Sequence, residues 1–554
     1  MSWALGKVHT LHHRHTGDGR PQPVLQCRLH LMTYKHLSLA YPAPSEVQLT
    51  GQKGSDRLAT GICRTATLEA PTQTHEHQAP EEDEFDWARQ WYPVAFVDDL
   101  DPSKPHSIEL LGKRLVLWRD AQKQWRTFED KCPHRLAPLS EGRIEPEDGT
   151  LMCSYHGWRF QGDGACTKVP QALDAKANAA ACSNSRSCAV SHPTQVRQGY
   201  VHVWGDASSS AFIDSAAKPP MLVPELDPDA ESAVLRDGSQ PLSAGKRYLR
   251  DLPYSWDFLV ENLMDPSHVA FSHHGILGKR DAPGVGHYEM EATPESSPVH
   301  KLGQGRDSVS LEVTSRGMGR PFTYSVQFVA PCLVRYYMPG FMGGEYAQMW
   351  MIATPSKPGW CRCLWWFFAP PQTASKRTKT LARLPTWLDH QVRSAVFDGD
   401  NVFLHGADRI AHSLEQETGS KWRGSYFMPA QADRTVTDFR KWLDKRGHGG
   451  PIKGDPGPIL EDRRVLLDRY EQHVKHCKAC TQALSVFKAL RVGAAVLAAA
   501  CLLSASGLVG GGAKLASVPV LALSLTAAGC AFAWQKLCRQ IGKFYFTDYK
   551  HSET

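Results

Sequence analysis

The chain has little cysteine for its length, no strong excess of charge of one sign, and no apolar run near its start. Fifteen cysteines in 554 residues, without the dense spacing of small secreted scaffolds, exclude a disulfide framework. They read as cofactor ligands, membrane residues and free thiols of a reducing compartment. A net charge of +6, with Lys and Arg interspersed among acids, excludes a nucleic-acid surface. Residues 1–80 lack hydrophobic periodicity and any secretory core, and are rich in His, Thr, Gln and Pro. A transit peptide or a disordered tail fits them, closed by the acidic run Glu81-Glu82-Asp83-Glu84. The remainder, in a chain 42% hydrophobic with sixteen tryptophans, is enough to bury a sizeable core.

Two residue clusters carry chemistry. The first is Cys132-Pro133-His134, an eighteen-residue gap, then Cys153-Ser154-Tyr155-His156. Each half supplies one thiolate and one imidazole, and two irons sharing bridging sulfides take two thiolates on one iron and two imidazoles on the other, the Rieske [2Fe–2S] pattern. A zinc tetrahedron would group its ligands as Cys-x-x-Cys and paired histidines instead. Both halves read as loop tips, with Gly157 allowing a tight turn, Trp158 and Phe160 offering apolar cover, and Tyr155 placed to donate toward a cluster sulfur.

The second cluster runs from Glu261 through Asn262, Asp265 and His268 to His273. The apolar residues between Ser255 and Ser272 predict one mostly buried helix. Burying Glu261, Asp265 and two imidazoles there calls for compensating partners, which a metal supplies. With one later carboxylate, His268 and His273 complete the two-His, one-carboxylate set of a mononuclear non-haem Fe(II). Asp398 and Asp400 compete for that place. Asp400 is preferred, lying one helical turn before Phe403 and Leu404, which are expected in the core. Asn262 and Asp265 are the candidate catalytic residues.

The fold class expected is α+β. An all-β domain over 85–206 holds the [2Fe–2S] ligands, with strands such as 115–118 and 200–204 and a low-complexity insert, 171–187, that loops out. A catalytic domain over 207–470 combines an antiparallel sheet, with strands near 308–314, 324–329 and 363–368, and covering helices. A linker, 471–490, carries Cys477 and Cys480, a pair that lacks two further zinc ligands and reads as a redox element. Lys475 and Lys478 favour its reactivity. Two uncharged stretches, Val492–Gly512 and Ala516–Trp534 within 492–534, are each near the length of a membrane span. Flanking Lys and Arg cluster on one side of this hairpin, so catalytic domain and C-terminus are expected on one aqueous face. The aromatic run around Trp360, Trp365, Trp366, Phe367 and Phe368 suggests a large flat apolar substrate, or strand core.

On Cys132 through Arg143, Tyr155 through Trp158, Asn262 through Val269 and Phe397 through Leu404, the sequence resembles the Rieske non-haem iron oxygenases, and more narrowly their chloroplast, pheophorbide a oxygenase-like branch. The resemblance implies ligation of the [2Fe–2S] cluster by Cys132, His134, Cys153 and His156, and of mononuclear iron by His268, His273 and Asp400. It implies a homotrimer, in which Asp265 bridges His268 of one subunit and His156 of the next. Gly399 departs from the acid or amide common beside the family's carboxylate. Also implied are O2, reduced ferredoxin as donor, a chlorophyll-pathway tetrapyrrole as substrate, most readily ring-opening oxygenation of pheophorbide a, and thioredoxin control through Cys477 and Cys480. The place implied is a chloroplast membrane, thylakoid or inner envelope, with the catalytic domain facing the stroma. The alternative is a Rieske redox sensor or electron carrier of the envelope translocon, which needs no mononuclear iron.

Overall fold

The computed structural model describes residues 84–222, 246–297, 306–317, 321–369, 374–420 and 422–551. The expected N-terminal transit segment, 1–80, lies outside them.

The first described part is all β around the cysteine and histidine pairs. Trp91–Phe96, Tyr200–Trp204 and Thr194–Arg197 form a three-stranded sheet, and His106–Leu110, Lys113–Arg119, Trp125–Glu129 and Ser191–His192 a four-stranded one. Four short strands, Arg143–Ile144, Leu151–Met152, Arg159–Phe160 and Cys166–Lys168, make a separate small sheet. The insert after it is not a loose loop. Asp174 caps a helix over Ala175–Cys182 by accepting from Ala177 N, and Asn178 Oδ1 accepts from Val169 N at 2.8 Å. A short polar-capped helix of alanines is cheap to form once tertiary contacts hold it.

The second part is built on a seven-stranded antiparallel sheet, in spatial order Tyr248–Leu252, Trp360–Phe368, Tyr346–Lys357, Leu333–Pro339, Phe322–Val329, Ser308–Ser315 and Tyr288–Ala292. Successive side chains point to opposite faces. Met351, Ala353, Cys361 and Cys363 pack with Leu259, Leu263 and Phe439 of the covering helices. Trp350, Ile352, Leu364, Trp366 and Phe368 pack instead with Val94, Leu115 and Val201 of the β domain. A strand buried on both faces reads as a continuous apolar run, and in the aromatic stretch 360–368 Trp366 and Phe368 are core, whereas Trp360, Trp365 and Phe367 are only partly buried. Trp365 lies against Phe397, with the Arg393 guanidinium 4.1 Å from its ring. Backbone hydrogen bonds join the two parts, from Leu111 N to Pro355 O at 3.1 Å and from Gly112 N to Ser356 O at 2.7 Å.

The helix expected over Ser255–Ser272 is interrupted. It runs over Trp256–Met264, breaks at Asp265, and resumes over Val269–Ser272. Asp265 takes extended angles, φ −88° and ψ 105°, because the ring of Pro266 disfavours the helical region for the residue before it. A 33-residue helix, Thr386–Thr418, crosses the covering layer and ends at Gly419 with φ 66°. Phe403 on it is half exposed, against His551, rather than in the core.

Two helices, Lys478–Gly510 and Val518–Gly542, have mean hydropathy 2.2 and 1.5 over their most apolar windows and are long and apolar enough to cross a membrane. The first, 33 residues, is about 50 Å long against a hydrocarbon thickness of about 30 Å. It therefore starts well before Val492, and Cys477 and Cys480 belong to its N-terminal turn rather than to a linker. The tail beyond the hairpin returns to the second part: Tyr549 Oη donates to Ser272 O at 2.7 Å and Arg463 pairs with Asp548 at 2.8 Å. Tail and second part therefore lie on the same side of any membrane the hairpin crosses.

Candidate functional site

The two Cys-His loops have the same backbone construction. Cys132 N donates to Ala137 O at 2.8 Å and Leu136 N returns to Cys132 O at 2.8 Å; Cys153 N donates to Trp158 O and Gly157 N returns to Cys153 O, both at 2.9 Å. The fifth residue of each loop is left-handed, Leu136 at φ 60° and Gly157 at φ 76°. Gly157 takes this conformation without strain, whereas Leu136 holds it at a cost of about 1 kcal/mol or more. Both thiols are buried and free. The His134 and His156 rings stand 4.5 Å apart and are half-buried. Trp158 stacks on His134 at 4.8 Å, as apolar cover. Tyr155 is exposed and lies on the His156 ring, so it covers an imidazole rather than pointing at a sulfur. The insert contributes here: Gln171 donates to His156 O at 2.8 Å and accepts from Trp158 Nε1 at 3.2 Å. His134 Nδ1 is buried with no hydrogen-bond partner, an atom that a bound iron would satisfy. Two buried thiols and two partly exposed imidazoles fit the donor set of a [2Fe–2S] cluster, whose one iron the thiols would hold and whose other the imidazoles would hold.

Pro266 shapes the second site. By breaking the helix it lets His268 begin a new turn and His273 end it, so that both rings face the long helix. His273 Nε2 lies 3.2 Å from Asp400 Oδ1, His268 Nε2 4.0 Å from the same oxygen, and the rings are 5.3 Å apart. One donor atom from each of these three residues lies within 4.8 Å of the others, a donor set that fits one mononuclear iron with open positions. Asn262 Nδ2 stands 3.4 Å from His268 Nε2 and 3.5 Å from Asp400 Oδ1.

Asp398 is elsewhere. Its carboxylate is fully buried between Arg250, 2.7 Å away, and Arg469, 2.5 Å away. Glu261 likewise pairs with Arg440, which also holds Asp257 at 2.6 Å. Its burial is compensated by a guanidinium and not by metal, so that part of the sequence argument does not hold. Asp265 accepts from Ser267 N and Oγ at 2.7 and 2.6 Å through one oxygen, and presents the other 3.6 Å from His268 Nδ1. Its side chain is 27% exposed. Gly399 has a local reason: a Cβ there would stand 3.1 Å from Tyr549 Cζ. The residue leaves room for the C-terminal tail beside Asp400.

The Cys477 and Cys480 thiols are buried against His390 and His473. His390 carried no spacing signal, lying 87 residues before Cys477, whereas His473 stands four residues before Cys477, within the span of a short motif. A hydrogen bond from Cys480, opposed by burial and assisted by the two imidazoles, holds the Cys477 thiol well below its ordinary value. Lys475 is engaged with Glu471 at 2.8 Å.

Residues 90–178 match the Rieske [2Fe-2S] domain family and residues 328–418 the family described as Pheophorbide a oxygenase. The chain is 34% identical over 521 residues to a chloroplastic pheophorbide a oxygenase of Oryza sativa subsp. japonica, covering 88% of each chain. It is 35% identical to the corresponding protein of Arabidopsis thaliana, covering 85% of each. A chloroplastic flavonoid 8-hydroxylase 2 of Ocimum basilicum is 31% identical, over 85% of this chain and 87% of its own.

Proposed function

Because the chain belongs to the pheophorbide a oxygenase family of Rieske non-haem iron oxygenases, we propose that it oxidises a chlorophyll-pathway tetrapyrrole, pheophorbide a first among them. The observation that carries this reading is the identity to two pheophorbide a oxygenases along most of both chains. The protein is an oxygenase with a [2Fe–2S] cluster and a mononuclear iron. It works in a chloroplast membrane, held by its apolar hairpin, with the catalytic part facing the stroma and reduced ferredoxin as donor.

Cys132, His134, Cys153 and His156 would hold the cluster, and His268, His273 and Asp400 the single iron. When bound, the cluster supplies single electrons and the ferrous iron supplies open positions for oxygen. The chain's own contribution is orientation. Asp265 presents a carboxylate oxygen 3.6 Å from His268 Nδ1, a buried atom with no hydrogen-bond partner, and a small closure of that gap would favour the tautomer that leaves Nε2 toward Asp400. Its exposed side can take a second imidazole, and His156 of a neighbouring copy is the residue proposed, in the homotrimer that the family resemblance implies. An electron carrier of the translocon would have no use for His268, His273 and Asp400, whose convergence favours the oxygenase.

The test is turnover of the purified, detergent-solubilised protein with reduced ferredoxin and labelled O2 on pheophorbide a, chlorophyllide a and a flavone. Label in a pheophorbide a product is expected. Label in the flavone alone overturns the substrate assignment, and no labelled product from iron-replete enzyme overturns the oxygenase.

A further inference from the structure

Among the described residues, two sets of three or more His, Cys, Asp or Glu donors lie within 4.8 Å of one another. One is the iron triad. The other is His390, His473, Cys477 and Cys480, four side chains that are all buried, each less than 4% exposed. His390 Nδ1 lies 3.1 Å from His473 Nε2, 3.5 Å from Cys477 Sγ and 3.4 Å from Cys480 Sγ, and His473 Nε2 lies 3.3 Å from Cys480 Sγ. A zinc tetrahedron with Zn–N near 2.0–2.1 Å and Zn–S near 2.3 Å has edges of about 3.3–3.8 Å. The observed separations lie at or slightly inside these edges.

His473 is already oriented as such a ligand. Its Nδ1 contacts Leu249 O at 2.6 Å. A carbonyl oxygen only accepts, so Nδ1 carries the proton and Nε2 presents its lone pair to the cluster. We infer that His390, His473, Cys477 and Cys480 form a structural zinc site, distinct from both iron sites.

Two thiols lose their protons to solvent as one Zn2+ enters, no electron is transferred, and the product is neutral, which suits a buried position. The contacts between every imidazole and a thiol distinguish this quartet from a second [2Fe–2S] centre, where thiolates and imidazoles sit on different irons. Its location gives it a role. His390 lies on the helix that carries Asp400, while Cys477 and Cys480 open the first apolar helix. Lys478 N on that same turn donates to Asp99 of the β domain at 2.9 Å. Zinc here would staple the membrane hairpin to the helix supporting the iron site.

The test uses full-length protein purified in detergent under anaerobic, chelator-free conditions, with elemental analysis and zinc K-edge absorption. About one zinc per chain is expected beside iron, with two sulfur and two nitrogen neighbours near 2.3 and 2.0–2.1 Å. A Cys477→Ser/Cys480→Ser variant and a His390→Gln variant should each lose zinc at least tenfold and keep the Rieske EPR signal. If both variants misfold, the absorption spectrum of the unaltered protein still decides. Zinc below about a tenth of an equivalent, with the two thiols alkylated under native conditions or joined as a disulfide, overturns the proposal. So does bound zinc without sulfur neighbours.

Discussion

Asp398 and Asp400 stand two residues apart on one helix and face opposite needs. Asp400 meets the two imidazoles, whereas Asp398 neutralises Arg250 and Arg469. Replacing either with alanine therefore has different consequences. Asp400→Ala should release the mononuclear iron, read by iron analysis, while leaving the cluster's visible spectrum intact. Asp398→Ala strands two buried guanidinium groups and should cost about 3–5 kcal/mol, read as a lower thermal midpoint. The reverse pattern would move the ligand to Asp398. At the other centre, on the proposed ligand set, His134→Ala or Cys153→Ala would remove one of two protein ligands from one iron. Either should abolish the visible absorption and EPR signal of the cluster, and an unchanged spectrum would sink the ligand assignment.

At the scale of elements, the sequence marked some features and hid others for physical reasons. Short-range spacing gave the two Cys-His loops and the His268–His273 pair, because their ligands lie within a few residues of one another. Strands such as Tyr200–Trp204 were legible from their β-branched and aromatic content. The break at Asp265 was signalled by Pro266 but outweighed by the apolar pattern on either side. The partners of Asp398 and Glu261, and His390 beside the Cys477–Cys480 pair, were not legible, because Arg250, Arg440 and His390 are brought in by tertiary packing from distant segments; His473 stands only four residues before Cys477 and is turned onto the thiols by the fold. Gly399 belongs here too, since its role depends on a tail 150 residues later. Gly399→Ala should push Tyr549 from its hydrogen bond to Ser272 and destabilise the protein by about 1–3 kcal/mol. Faster protease cleavage of the C-terminal tail would report it, and an unchanged cleavage rate and melting point would show that the tail absorbs a methyl group.

At the scale of the whole molecule, two iron sites on separate parts of one chain must exchange electrons. Both the imidazole edge of the cluster loops and the outer side of Asp265 are reachable from outside the chain, which supports exchange between copies. Mixing Cys132→Ala chains with His268→Ala chains should restore part of the activity, since some interfaces then join an intact cluster to an intact iron. No recovery in demonstrably mixed oligomers would keep electron flow within one subunit. Asp265→Asn should retain both metals yet slow turnover at least tenfold, because an amide cannot accept from two imidazoles as a carboxylate does.

The central claim, that the cluster feeds an oxygen-using iron at His268, His273 and Asp400, is tested most directly by a single turnover. Protein with its cluster chemically reduced, and with no donor present, is mixed with pheophorbide a and labelled O2 while the cluster absorbance is followed and product is quantified. The account predicts that cluster reoxidation and labelled product rise together in the unaltered protein and that product is absent in Asp400→Ala. Equal reoxidation in both proteins, with no labelled product from either, would contradict it.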